Sequence, residues 1–256
     1  MGQLTMIKYS RAHAIFIPGN HDWAKGSANG FDRLRDMTAF IQHFLGRAGQ
    51  VLPQPGCPGP DSLDIAPVRL IFLDTEWWLE DNDNKHNPGC AISDHASIQT
   101  ELTRLLSQAE GRPVVVMGHH PLASHGPHGG FATHPLKAFT KWLFPSNQDL
   151  GGDNYEKMVE DLKNVFSHYP PLVYASGHDH SLQILDGSPF AELLLVSGGG
   201  SGRKLTPVGS GTDTIFADSH AGFIALEFLK NGEVNVQVIE SGSTRPRFSK
   251  HLSRKP

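Results

Sequence analysis

Three short motifs hold the residues of this chain that could do chemistry: Gly19-Asn20-His21-Asp22, Gly118-His119-His120 and Gly177-His178-Asp179-His180. Imidazole nitrogens with a neutral amide oxygen form a donor set suited to a transition-metal ion. In the last motif His178 and His180 alternate, so in an extended turn they share a face. Asp179 then points away, as a supporting residue rather than a ligand. The His-x-His-x-Asp-His pattern of some metal-binding enzymes is not matched, because Ser181 and Leu182 follow His180. A lone His-His or His-x-His says little; three motifs placed alike say more. Histidine is also the compositional outlier, with fifteen in the chain. Five of them, His119, His120, His125, His128 and His134, fall within one short stretch. Imidazole both binds metals and exchanges protons near neutral pH, so the clustering points to chemistry.

The elements that must position these residues follow from the pattern around them. Each motif follows an apolar run that reads as a buried strand: Ala14-Ile15-Phe16-Ile17, Val114-Val115-Val116-Met117 and Leu172-Val173-Tyr174-Ala175. The glycine that opens each motif lets the chain turn sharply off the strand end. Open α/β sheets build their sites at such ends. Apolar residues at helical spacing predict helices over 30–46, from Ile98 to Leu106 and from Tyr155 to Phe166. Val68 to Leu73 reads as a strand ending at Asp74. Residues 51–67 read as an irregular, Pro-rich crossing. Beyond His180 the period becomes two, and Asn231-Gly232 marks a hairpin between alternating runs. The chain is therefore α/β, with βα units first and an antiparallel meander last. Residues 1–242 read as one domain and 243–256 as a basic, flexible tail.

In the order of these motifs the chain resembles the calcineurin-like metallophosphoesterases, the superfamily that includes the purple acid phosphatases. The resemblance covers nearly the whole chain. It implies a two-sheet β-sandwich flanked by helices, in four layers α-β-β-α, with the site at the sheet edges. It implies two divalent or trivalent transition-metal ions (Fe, Mn or Zn) that clamp a phosphate ester and align a hydroxide for in-line attack. Asn20, His119 and His178 would ligate the second ion and His180 the first. His21 would stabilise the transition state and help protonate the leaving oxygen, with Asp22 orienting its ring. His125, in a His-Gly-Pro that faces substrate in the purple acid phosphatase branch, would bind substrate, and so would His128. His120 reads as a neighbour. The substrate would be a small phosphate ester, a sugar phosphate or a phospholipid.

One departure matters. The family places Asp-x-His and Gly-Asp-x-x-Asp upstream of its Gly-Asn-His-Asp, yet no Asp or Glu precedes Asp22 here. Those motifs supply the carboxylates of the first ion and of the bridge. The chain thus reads as an N-terminally incomplete sandwich with an apolar sheet edge left open, holding one ion where the family holds two. Three functions compete: a metal-dependent phosphoesterase, a catalytically weak or inactive remnant with part of the metal site, and a His-rich binding protein without hydrolytic ancestry. Motif order argues against the last. The missing carboxylates separate the first two.

Composition bounds the rest. The 256 residues, 38% hydrophobic, can bury a sizeable core. Net charge is −4, with no basic stripe in the body, so nucleic acid is not favoured as a partner. No apolar run has the length of a membrane span. The two cysteines, Cys57 and Cys90, lie in Gly-Pro loops flanking one strand segment. A bridge between them would imply an oxidising, extracytoplasmic setting. Asp74-Thr75-Glu76-Trp77-Trp78 also follows a strand. Its tryptophans could line a groove, but they read more simply as core.

Overall fold

The computed structural model describes residues 2–46, 51–80, 89–131, 146–201 and 204–253. His134 and the last three residues of the basic tail lie outside them. The larger sheet has the order β1-β2-β3-β4-β6-β5-β7. Its strands are β1 (Asp61–Ile65), β2 (Val68–Phe72), β3 (Val114–Met117), β4 (Val173–Ser176), β5 (Leu182–Asp186), β6 (Leu193–Ser197) and β7 (Thr214–Asp218). The run β2, β3, β4, β6 is parallel, while β1, β5 and β7 pair antiparallel. The smaller sheet, β10-β9-β8, is an antiparallel meander of β8 (Gly222–Phe228), β9 (Val234–Glu240) and β10 (Phe248–Leu252).

The central strands are continuous apolar runs because both of their faces are covered. On one face Ile71, Val114, Val116 and Tyr174 pack with α4 (His95–Ser107) and α5 (Asp153–His168), through Leu102, Met158, Leu162 and Phe166. On the other face Val115, Val173, Ile184 and Leu195 meet Val234, Val236, Val238 and Leu252 of the smaller sheet. Two sheets flanked by helices are thus observed as expected. At the N-terminal side, α1 (Gly2–Lys8) and α2 (Gly30–Leu45) close over Ile41, Leu45 and Val51. A short α3 (Glu76–Leu79) follows β2 and buries Trp77 and Trp78 in the core, not in a groove.

What positions the site is the pairing of β3 with β4. They are parallel neighbours with Val116 opposite Tyr174 and Met117 opposite Ala175. Their ends are cross-tied: the Gly118 N–H donates to Ala175 O (3.1 Å) and the Gly177 N–H to His119 O (3.0 Å). Two of the histidine motifs therefore leave the sheet side by side.

Three readings are corrected. Ala14 to Ile17 is not a buried strand: it is half-buried and makes a single bridge, Phe16 to Val51. The crossing over 51–67 contains a strand, β1, held by a two-pronged Arg69–Asp64 pair (2.7 and 2.9 Å) and by Arg112 on the same carboxylate (2.7 Å). The stretch expected as a flexible tail contains β10, paired with β9 from Phe248 opposite Val238 to Leu252 opposite Val234. Leu252 is buried there because the smaller sheet needs a third strand to cover its apolar face. An apolar surface does stay open, but on the face of β1 and β2. Leu63 and Ile65 are 39% and 50% exposed there, and a groove of about 520 Å³ runs between them, Leu70, Phe72, Met117 and Ile17. Cys57 and Cys90 form a disulfide.

Candidate metal centre

His119 and His178 come together at the ends of β3 and β4. His119 Nε2 and His178 Nδ1 are 3.2 Å apart. Two nitrogens bound to one tetrahedral ion at 2.0–2.1 Å lie about 3.3–3.4 Å apart, so the pair fits a single metal. Both rings are held in the neutral form. Burial pushes the His119 imidazole well below its ordinary value, reinforced by His120, His21, His180 and His128. Burial does the same to His178, reinforced by His120, His119 and His128. His178 adopts φ 65°, a left-handed conformation uncommon for a side chain of this kind and a form of strain found at functional sites.

His120 is fully buried, and its ring lies 4.9 Å from that of His119 and 4.5 Å from that of His178. Donor atoms of these three side chains all lie within 4.8 Å of one another. Both nitrogens of His120 are nevertheless committed to protein partners. Thr75 Oγ1 accepts the His120 backbone N–H (3.0 Å) and lies 2.8 Å from Nδ1, which leaves its hydroxyl hydrogen for that nitrogen. Nε2 faces two acceptors, Glu76 Oε2 and Gln148 Oε1, each at 3.2 Å. His120 therefore supports the pair rather than completing it.

The first motif approaches from a separate turn. Gly19 lies against the His119 ring, where a β-carbon would fall 2.6 Å from Nδ1. Only glycine allows that approach, and Asn20, next in the chain, is buried. Asp22 Oδ2 accepts the Gly19 N–H (2.9 Å), so its carboxylate closes this turn. His21 is exposed. Burial lowers its pKa, followed by the charges of Lys25 and Lys204. These two lysines carry no motif in the sequence, yet they give the rim a cationic character.

Other expected site residues are each held by a protein partner. His180 is half-buried, with Nδ1 on Lys204 O (2.6 Å). His125 Nε2 pairs with Asp213 (2.6 Å), and its N–H donates to Gln183 Oε1 (2.8 Å). The His128 ring lies against His178, tilted by 38° with centroids 4.0 Å apart, while its Nδ1 faces Asp149 Oδ1 (2.9 Å). Asp179 is fully buried and supportive: it accepts from Ser124 Oγ (2.5 Å) and from the His128 N–H (3.1 Å). Gly126 packs directly on that carboxylate, where any β-carbon would collide. Among the described residues no carboxylate joins the His119–His178 group. Nearby acids are engaged: Asp74 accepts from Trp23 Nε1 (2.8 Å), and Glu76 from Gln148 Nε2 (2.9 and 3.0 Å). A second cluster, Asp218, His220 and Glu240, is spanned by Arg247 (3.8 and 3.4 Å) and is an ion-pair network.

No family model and no curated protein matches the sequence. Solved structures do. The chain superposes on GAP50, the anchor in the inner membrane complex of Plasmodium, with a TM-score of 0.51 and 18% identity, over 77% of this chain and 53% of that one. It superposes on the purple acid phosphatase PPD1 from yellow lupin seeds with a TM-score of 0.52 and 18% identity, over 76% of this chain and 32% of that one. The fold is of the metallophosphatase type. The chain spans about half the length of the first of these proteins and a third of the second.

Proposed function

We propose that this protein is a metal-dependent phosphoesterase with one transition-metal ion at His119 and His178, and Asn20 as the adjoining oxygen donor. Fold alone does not choose this reading, since the same fold serves a protein described as an anchor and another described as a phosphatase. The observation that carries it is the pair of neutral ring nitrogens 3.2 Å apart at the ends of two parallel strands. An ion bound there would supply Lewis acidity toward a phosphoryl oxygen and a lowered pKa for water. The chain's own residues do the remainder. Lys25, Lys204 and the exposed His21 form a cationic rim that draws in and orients a phosphate ester. His21 stands at this rim as the side chain able to hand a proton to the leaving oxygen. The Cys57–Cys90 bridge favours an oxidising compartment.

A second reading has its own support. Among the described residues no carboxylate joins the His119–His178 group, so they supply no bridge between two ions. A weakly active remnant is the outcome if the single ion does not suffice. Calorimetric titration with Zn(II) and Mn(II), paired with turnover of an aryl phosphate, decides between them. We expect one ion per chain and slow hydrolysis, both lost in His178→Ala. Bound metal with background turnover selects the remnant. Two tight ions with brisk turnover would assign the second site to residues outside this pair. No metal bound at all sinks the proposal.

A further inference from the structure

The loop Ser146–Leu150 carries no motif, yet it touches three of the site histidines. Gln148 Nε2 donates to both Glu76 oxygens (2.9 and 3.0 Å), and Gln148 Oε1 lies 3.2 Å from His120 Nε2. The backbone carbonyl of the same residue lies 2.8 Å from His178 Nε2. Asp149 is buried and shapes the loop: its Oδ2 accepts the Ser146 N–H (3.1 Å) and O–H (2.8 Å). Its Oδ1 faces His128 Nδ1 (2.9 Å), and the Leu150 N–H donates to His128 O (2.9 Å).

A carbonyl oxygen can only accept a hydrogen bond. His178 Nε2 must therefore carry the ring hydrogen, and the lone pair is left on Nδ1, the nitrogen that faces His119. We propose that Gln148 is a positioning residue for the metal site, an inference that rests on the reading of His119 and His178 as ligands. Its side chain, anchored on the buried Glu76, holds its own carbonyl against His178. That contact fixes both the tautomer and the ring plane that present Nδ1. Partners on the far nitrogen of a ligating histidine do this in metal sites generally, and losing one weakens metal binding about 10- to 100-fold. The anchor is specific in its chemistry. Glu76 is 1% exposed and needs donors, which the Gln148 amide supplies. A side chain without an N–H would leave that carboxylate short of bonds and the loop untied.

The test compares the wild type with Gln148→Met, which fills the same space without hydrogen bonds, and with Gln148→Ala. Two readouts are taken. Long-range nitrogen–proton NMR on the metal-free protein reports the His178 tautomer, and absorbance titration with Co(II) reports affinity. We expect the wild type to show Nε2–H alone. In both variants we expect a mixture of tautomers and Co(II) affinity lower by about 10- to 100-fold. An Nδ1–H tautomer in the wild type overturns the proposal, and that measurement needs no variant to fold. So do variants whose tautomer and affinity stay within twofold of wild type. If the wild type binds no Co(II) but the variants lose the tautomer, Gln148 still sets the His178 tautomer, while the metal-site reading, and with it the positioning of a ligand, falls.

Discussion

Asp74 shows how much of this site's electrostatics is invisible before folding. Burial pushes its carboxyl up to about 7, with the Trp23 indole opposing the shift and Glu76 adding to it. An unfolded Asp titrates near 4. A group raised on folding contributes stability that is fully present below the unfolded value and lost as pH rises through the folded one. The window here runs from about 4 to about 7. Asp74→Asn carries no proton to lose, so its stability relative to wild type should climb across that window, by about 4 kcal/mol at most. Urea unfolding of both proteins at pH 4.5 and pH 8 measures this, and a difference that stays flat with pH refutes it. The placement of His119 and His178 at strand ends was legible because each follows an apolar run and a glycine. Thr75, Glu76, Gln148 and Asp149 were not legible as partners of those histidines. They act through contacts 21 to 72 residues apart in sequence, and no period or motif marks such contacts. The closing of the first turn was not legible either, since no motif marks the contact of the Asp22 carboxylate with the Gly19 N–H.

At the level of elements, strands were readable where burial on both faces made them continuously apolar, as in β2, β3 and β4. They were lost where the sequence is polar. β1 is Asp-Ser-Leu-Asp-Ile, almost wholly exposed, and it pairs only with β2. β10 is Phe-Ser-Lys-His-Leu and lies among basic residues that suggested a tail. Its apolar positions are few, but they are placed: Phe248 packs on Phe216 with centroids 5.1 Å apart, and Leu252 joins the inter-sheet core. Leu252→Ala should therefore cost about 2–5 kcal/mol of unfolding free energy, as for other buried leucines. Chemical denaturation checks this. A change under about 0.5 kcal/mol would mean that the strand frays as a tail does.

Across the whole molecule the disulfide is the longest covalent constraint. It joins positions 33 residues apart and encloses β1, β2 and α3. By the chain-entropy account, closing a loop of that length restrains the unfolded chain by about 3–4 kcal/mol. Cys57→Ser with Cys90→Ser should lower stability by an amount of that order, read by urea unfolding in the absence of reductant; no loss would assign the bridge no structural weight. The same enclosure divides the site by origin. His119 and His178 hang from β3 and β4, outside the loop, in the most deeply paired part of the sheet. Thr75 and Glu76, the supports of His120, sit inside it. One half of the centre is thus held by sheet pairing and the other is fenced by sulfur. A thiol-rich compartment would loosen the acidic half first while the imidazole pair kept its place. The redox state of the chain then sets how stiff a socket the proposed ion would find.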